Sequence, residues 1–178
     1  MSRTITLIAI AIAFSAVVAE DVHPIAGKVD LTRYQGMWYE QASIPQPYTG
    51  SCVCNTAQYT LRGSKLEVLN GCIQADGRKR SVHLSGVSRN PPYNTKLRVY
   101  FGPIGAPYWI LAIGNTQNYD HVLVGEPSRR SLYILSRAKF LDETTYNQLI
   151  AVAQKEGYDT SKLVRDQNKK CYGGEETF

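Results

Sequence analysis

The chain has 178 residues, with 20 basic and 15 acidic side chains, a formal net charge of +5 and a pI near 9.0. Apart from Arg78-Lys79-Arg80, Arg129-Arg130 and Lys169-Lys170, the basic residues are scattered. No continuous basic patch or nucleic-acid module is visible, so no nucleic-acid partner is expected. A metal centre is not expected either, because Cys52, Cys54, Cys72 and Cys171 with only three histidines give poor ligand spacing.

The N-terminus reads as a leader. Arg3 precedes the apolar run from Ile5 to Phe14, and Ala16-Val17-Val18-Ala19 supplies the small residues that signal peptidase accepts. The run is too short to span a bilayer. Cleavage after Ala19 leaves residues 20–178 as a single domain, and removal of Arg3 lowers the net charge from +5 to +4. No cysteine near that site offers a lipid attachment point, and no later apolar run is long enough to cross a membrane. The expected product is secreted and not lipid-anchored, in an oxidising compartment where the four cysteines form two disulfides.

Asp30-Leu31-Thr32-Arg33-Tyr34 carries a cap residue and predicts one helical turn, ended by Gly36. Short strand-like segments follow. Met37 to Ile44 is stopped by Pro45 and Pro47. Cys52 to Leu61 turns through Arg62-Gly63-Ser64 into Lys65 to Ile73. Ala75-Asp76-Gly77 leads into Lys79 to Ser88, and Asn90 to Asn94 breaks the chain before Lys96 to Phe101. Gly102 to Gly105 precedes Pro107 to Ile113. Tyr119 to Val124 and Ser131 to Arg137 complete the series. Leu97, Val99 and Phe101 alternate with Arg98 and Tyr100, as a half-buried strand requires. Eight strands with short turns predict an all-β, antiparallel up-and-down meander, which escapes exposed edges only by closing into a barrel. A barrel of that strand number has room for one small ligand.

The period then changes. Asp142 is a cap, Tyr146, Leu149, Ile150 and Ala153 share one helical face, and Gly157 is a terminator. A single C-terminal α-helix packed on the outside of the barrel is expected, with Lys162 to Arg165 adding a short strand.

Specific residues then give this order of elements a likeness. Gly36-Met37-Trp38 at the head of the meander resembles the G-x-W signature of the lipocalin family. Asn118 to Val124 resembles the block over the sixth and seventh strands, and Leu132 to Arg137 the last block, which ends in an arginine. Within the family, Trp38-Tyr39-Glu40, Ala106 to Ala112, Tyr133 to Arg137 and Glu156 to Lys162 are similar to the group of apolipoprotein D and the bacterial lipocalins.

The resemblance implies that Gly36, Trp38 and Arg137 form a structural signature, with Arg137 over the Trp38 ring at the closed end. It implies a disulfide between Cys54 and Cys171, leaving Cys52 to pair with Cys72. The alternative set, Cys54 with Cys72 and Cys52 with Cys171, stays open, since a two-residue hairpin turn puts Cys52 and Cys72 on opposite faces unless a bulge intervenes. It also implies that Tyr59, Asn70, Gln74, Tyr108, Tyr133 and Leu135 face the lumen, and alternation adds Val99 and Phe101.

The function these readings predict is binding, transport or scavenging of a small hydrophobic molecule in the lumen. No catalytic residue and no cofactor are expected. Twelve tyrosines against four phenylalanines suggest hydrogen-bonding capacity inside. That suits a fatty acid, lysophospholipid, steroid-like molecule, retinoid or tetrapyrrole better than a plain hydrocarbon. Two alternatives remain. One is a surface-interaction protein such as a pigment-complex subunit. The other is an enzyme using an unpaired Cys52 or Cys72 as a thiol. Pro45 to Tyr48 and Asn90 to Tyr93 are candidates for an apolar rim at the mouth, in contact with a membrane or a second subunit. The expected assembly is a monomer or weak homodimer.

Overall fold

Eight antiparallel strands follow one another in the computed structural model: β1 Gly36–Ser43, β2 Val53–Arg62, β3 Lys65–Ile73, β4 Lys79–Ser88, β5 Lys96–Phe101, β6 Ile104–Ile113, β7 His121–Gly125 and β8 Leu132–Ser136. The structure describes residues 21–47, 52–74, 76–114, 117, 119–166 and 168–173. The expected leader, Tyr48 and Asn118 lie outside the described residues.

Each strand pairs with the next, and β1 closes the barrel by dividing its edges. Its first half pairs with β2, from Gly36 opposite Tyr59 to Tyr39 opposite Thr56. From Tyr39 onward it pairs with β8, with a bulge between Glu40 and Ala42. Where β2 diverges from β1, the two-residue strand β9, Val164–Arg165, occupies the vacated edge of β1. The wall therefore closes, and backbone groups that an open sheet would leave unpaired are satisfied.

Besides the bulge at Glu40/Ala42, register shifts at Val53/Thr56 and Ile110/Ala112 separate the observed pairing from simple alternation. Val53 faces Ile73 and Thr56 faces Gly71, so Cys54 and Asn55 together stand opposite Cys72. Cys54 adopts φ 57°, and this bulge turns the start of β2 so that Cys52 reaches Cys72. The structure pairs Cys52 with Cys72 and Cys54 with Cys171. One strand boundary is also corrected, that of β6. It begins at Ile104 instead of Pro107, because Gly102 at φ 55° lets two residues join Phe101 directly to Ile104.

Helix α1, Leu31–Tyr34, is capped by Asp30, whose side chain accepts from the Thr32 N–H, and it crosses one end of the barrel. The β2–β3, β4–β5 and β6–β7 connections surround it, so this is the closed end. The segment before α1 is packed against the barrel: Val22 and Val29 are buried, and the Ile25 and Val29 amides donate to the Ile110 and Tyr93 carbonyls. That last contact also places Asn90–Tyr93 at the closed end. The expected rim made of Pro45–Tyr48 and Asn90–Tyr93 is therefore corrected, since the β1–β2 and β4–β5 connections lie at opposite ends.

Helix α2, Glu143–Lys155, is capped by Asp142, whose side chain accepts from the Thr145 N–H, and Gly157 follows at φ 79°. It buries Tyr146, Leu149 and Ala153 against Ala42, Leu111, Leu123, Leu132 and Ile134 on the outer wall. A short helix, α3 (Asn168–Tyr172), carries Cys171 back to β2.

Candidate ligand site

The inner face of the barrel is built by the side chains that share Trp38's side of the wall. Trp38 stands opposite Ala57, Ala57 opposite Asn70, and Asn70 opposite Val82. Tyr59 faces Val68, Leu97 faces Tyr108, Val124 faces Tyr133 and Val122 faces Leu135. Tyr34, Trp38, Ala57, Tyr59, Val68, Leu97, Val122, Val124 and Leu135 form one buried cluster, with Tyr108 and Tyr133 packed against it.

The closed end is locked before any ligand enters. The Trp38 indole N–H donates to the Tyr34 carbonyl at 2.9 Å. Arg137 lies over the Trp38 ring, 3.9 Å from its centroid, and donates from Nη1 to the Met37 carbonyl and from Nη2 to the Arg33 carbonyl. One guanidinium thus satisfies the end of α1 and the start of β1 while covering an aromatic face. Gly36 has φ 96°, and a Cβ there would approach Arg137 Nη1 to 3.2 Å. The G-x-W spacing is the sequence form of this contact.

Three tyrosine hydroxyls meet on the floor. Tyr108 Oη lies 2.7 Å from Tyr34 Oη and 3.0 Å from Tyr59 Oη. Burial holds all three hydroxyls in their neutral, donating form: it pushes Tyr59 up to about 12 and Tyr34 and Tyr108 well above the usual tyrosine value. Three hydroxyls bring three protons, and two mutual hydrogen bonds use two of them. The third proton remains available to an acceptor above the floor. Nearer the mouth on β3, Asn70 Oδ1 is buried without a hydrogen-bond partner. Such a group costs about 1–3 kcal/mol when left unsatisfied. A donor on the floor and an acceptor on the wall are the polar complement of a hydroxyl-bearing molecule.

A second polar group sits where β1 and β2 part. Glu40 follows Trp38 on the same face, opposite Leu135. Its Oε1 accepts from Ser43 Oγ at 2.7 Å and from Asn55 Nδ2 at 3.3 Å. Asp166 accepts the Cys54 and Asn55 backbone N–H groups, each at 2.6 Å, and so splices the chain after β9 onto β2. Burial, reinforced by the neighbouring Asp166 charge, pushes the Glu40 carboxyl up to about 7, against the opposing hydrogen bonds from Ser43 and Asn55.

The structure brings Tyr59, Asn70, Tyr108, Tyr133 and Leu135 onto the inner face, with Val99 opposite Gly86 one level away. Gln74 stands in the β3–β4 turn at the mouth, where its amide donates to the Arg78 carbonyl. Phe101 is a correction: it is 60 % exposed at the end of β5 and belongs to the rim. Sequence reasoning missed Tyr34, Glu40, Ser43 and Asn55 as lumen groups. Glu40 carried a signal, being two residues after Trp38 in one strand. Asn55 carried one too, being two and four residues before Ala57 and Tyr59 in one strand, whereas Ser43 carried none, because it follows the bulge at Glu40/Ala42 that resets the alternation. A surface hollow of about 770 Å³ lies outside the barrel, between α1 and the turns of the closed end, and is open to solvent. Among the described residues, no group of three or more His, Cys, Asp or Glu could hold a metal ion.

A family model described as a lipocalin-like domain matches residues 29–168, most of the chain. The protein belongs to the lipocalin family. Its relatives include the outer membrane lipoprotein Blc of Escherichia coli, 32 % identical over 143 residues that cover 79 % of this chain and 80 % of Blc. Apolipoprotein D of Mus musculus is 30 % identical, covering 83 % of this lipocalin and 82 % of its own length. Among solved structures, insecticyanin of the tobacco hornworm Manduca sexta superposes with a TM-score of 0.65 at 23 % identity, covering 84 % and 85 % of the two chains. The barrel and the helix that follows it are those of a lipocalin, a family whose members bind small hydrophobic ligands. Its homologues are mostly binding or transport proteins rather than enzymes. The four cysteines of this lipocalin are all paired, so neither Cys52 nor Cys72 is the free thiol that the enzymatic alternative required.

Proposed function

We propose that this lipocalin is a secreted carrier or scavenger of a small hydrophobic molecule that bears a hydroxyl group. The molecule sits in the lumen with its polar end on the floor and Asn70. The tyrosine triad carries this reading, because a purely apolar ligand would leave its third proton and Asn70 Oδ1 unanswered. Apolar burial at roughly 25 cal/mol per Å² supplies the drive, and the polar atoms select orientation. Tyr59, Asn70, Tyr108, Tyr133 and Leu135 are the proposed contacts, with Val99 flanking them and Gln74 and Phe101 at the rim.

Native mass spectrometry with solvent extraction, applied to protein from its own source, tests the proposal. A hydrophobic, hydroxyl-bearing molecule at one per chain supports it. A barrel that arrives empty and takes up no fatty acid, lysophospholipid, steroid, retinoid or bilin overturns it. For a ligand so identified, Tyr108→Phe is expected to weaken binding roughly fivefold, the worth of about one net hydrogen bond.

A further inference from the structure

The open end carries an apolar hairpin. From Phe101 to Pro107 the sequence Phe-Gly-Pro-Ile-Gly-Ala-Pro contains no polar side chain. β5 and β6 pair right up to its tip, with Phe101 opposite Ile104. Phe101 and Ile104 are 60 % and 72 % exposed, and Gly102, Pro103, Ala106 and Pro107 are exposed beside them. Isolated exposed apolar side chains are ordinary, but a contiguous patch marks an interaction surface.

The neighbouring hairpin supplies charge. β4 pairs with β5 only as far as Ser85 opposite Tyr100 and then runs on past the end of β5, so the β3–β4 turn rises at the same end of the barrel, beyond the level of the apolar tip. That turn and the start of β4 expose Arg78, Lys79 and Arg80. Against them stands one acid, Asp76, which is held by Arg78 Nε at 2.7 Å. On the far side, the β7–β8 connection exposes Pro127 and Arg130.

Apolar side chains on a rigid tip, flanked by cations, match a surface that is apolar beneath and anionic on top. A second copy of this chain fits poorly, because it would bring Arg78–Arg80 against the same three cations. We propose that the β5–β6 hairpin and the cations of the β3–β4 turn dock the mouth of the barrel on an anionic phospholipid bilayer, where lumen and membrane exchange ligand. Ile104 and the rim of Phe101 enter the interface, and Lys79 and Arg80 meet lipid phosphates. This docking goes beyond the lumen reading and can fail without it, since it concerns the outside of the mouth.

Vesicle sedimentation tests it, using protein that lacks residues 1–19 so that the leader's apolar run cannot drive binding. Vesicles are phosphatidylcholine alone or phosphatidylcholine with phosphatidylglycerol. The wild type is expected to bind the anionic vesicles and to release them as salt rises. Each cation near the surface is worth roughly fivefold, so Lys79→Glu with Arg80→Glu should cut binding by roughly twenty-five-fold or more. Ile104→Asp should do the same through lost apolar burial, again roughly tenfold or more. Both variants should unfold at the wild-type denaturant concentration and should bind a soluble lumen ligand as the wild type does. Equal binding to both vesicle types, or full binding by Ile104→Asp, overturns the proposal. It is also overturned if the wild type ignores vesicles but sediments as a dimer that Ile104→Asp converts to a monomer.

Discussion

At the scale of single residues, the lumen separates two kinds of polar group. Tyr34, Tyr59 and Tyr108 are neutral at every physiological pH, because burial pushes their ionisation upward. They act as fixed donors and acceptors. Glu40 differs: burial, with Asp166 nearby, raises its carboxyl from 4.5 to about 7. A carboxyl that is harder to ionise in the fold than in the unfolded chain stabilises the fold while protonated. That contribution is complete below the unfolded value near 4.5 and is lost as pH rises through 7. The stability of the wild type relative to Glu40→Gln should therefore fall between pH 4.5 and pH 8. Partial solvent access limits the loss to about 3 kcal/mol at most. Urea unfolding of both proteins across that range checks the sign. A wild type that gains on Glu40→Gln as pH rises would contradict the buried, protonated state.

At the scale of elements, α1 and α2 use the same helical chemistry for different ends. α1 is four residues long and could not persist alone. It holds because Trp38, Arg137 and the Asp30 cap together satisfy its ends, and so it delivers the Tyr34 hydroxyl to the floor. α2 has an amphipathic stripe that covers the outer wall. Leu149, 3 % exposed, is central to that stripe. Leu149→Ala should destabilise the protein by about 2–5 kcal/mol through lost burial and a residual cavity. The denaturation midpoint reports that loss. Affinity for a lumen ligand should stay at the wild-type level, because α2 packs on the opposite side of the wall from the site.

At the scale of the whole molecule, two disulfides tie distant or irregular segments to the barrel. The Cys54–Cys171 bridge spans 117 positions and fixes α3 to β2, whereas Cys52–Cys72 spans 20 and reinforces one hairpin. In the chain-entropy model the longer loop is worth about 4–5 kcal/mol and the shorter about 3. Replacing Cys54 and Cys171 together by serine should cost more stability than replacing Cys52 and Cys72. Guanidinium unfolding of the two double variants tests that order. The ends of the barrel are likewise complementary. Arg137 and Trp38 seal one, and the apolar tip of β5–β6 with the cations of β3–β4 marks the other.

Much of this was legible in the sequence. Strand positions follow from period-two alternation and turn residues, which are local, so the order of residues alone bounds β3, β4 and β5 as the structure has them. The α2 stripe and its caps are local as well, and the signature residues Gly36, Trp38 and Arg137 carried the family. The inner-face assignments of Tyr59, Asn70 and Tyr108 came with the likeness, and the register places all three on that face. Tertiary structure decided what depends on parity and on pairing over long separations. The bulges after Glu40 and at Cys54–Asn55 reset which side chains face inward, and no local pattern announces either one. Tyr34 joins the floor only because α1 lies beneath the barrel. Asn90–Tyr93 and Phe101–Pro107 look alike as proline-rich connections, yet one lies at the closed end and the other at the mouth. An up-and-down barrel sends alternate connections to opposite ends, so their place is fixed by strand count and closure, which only the folded chain completes.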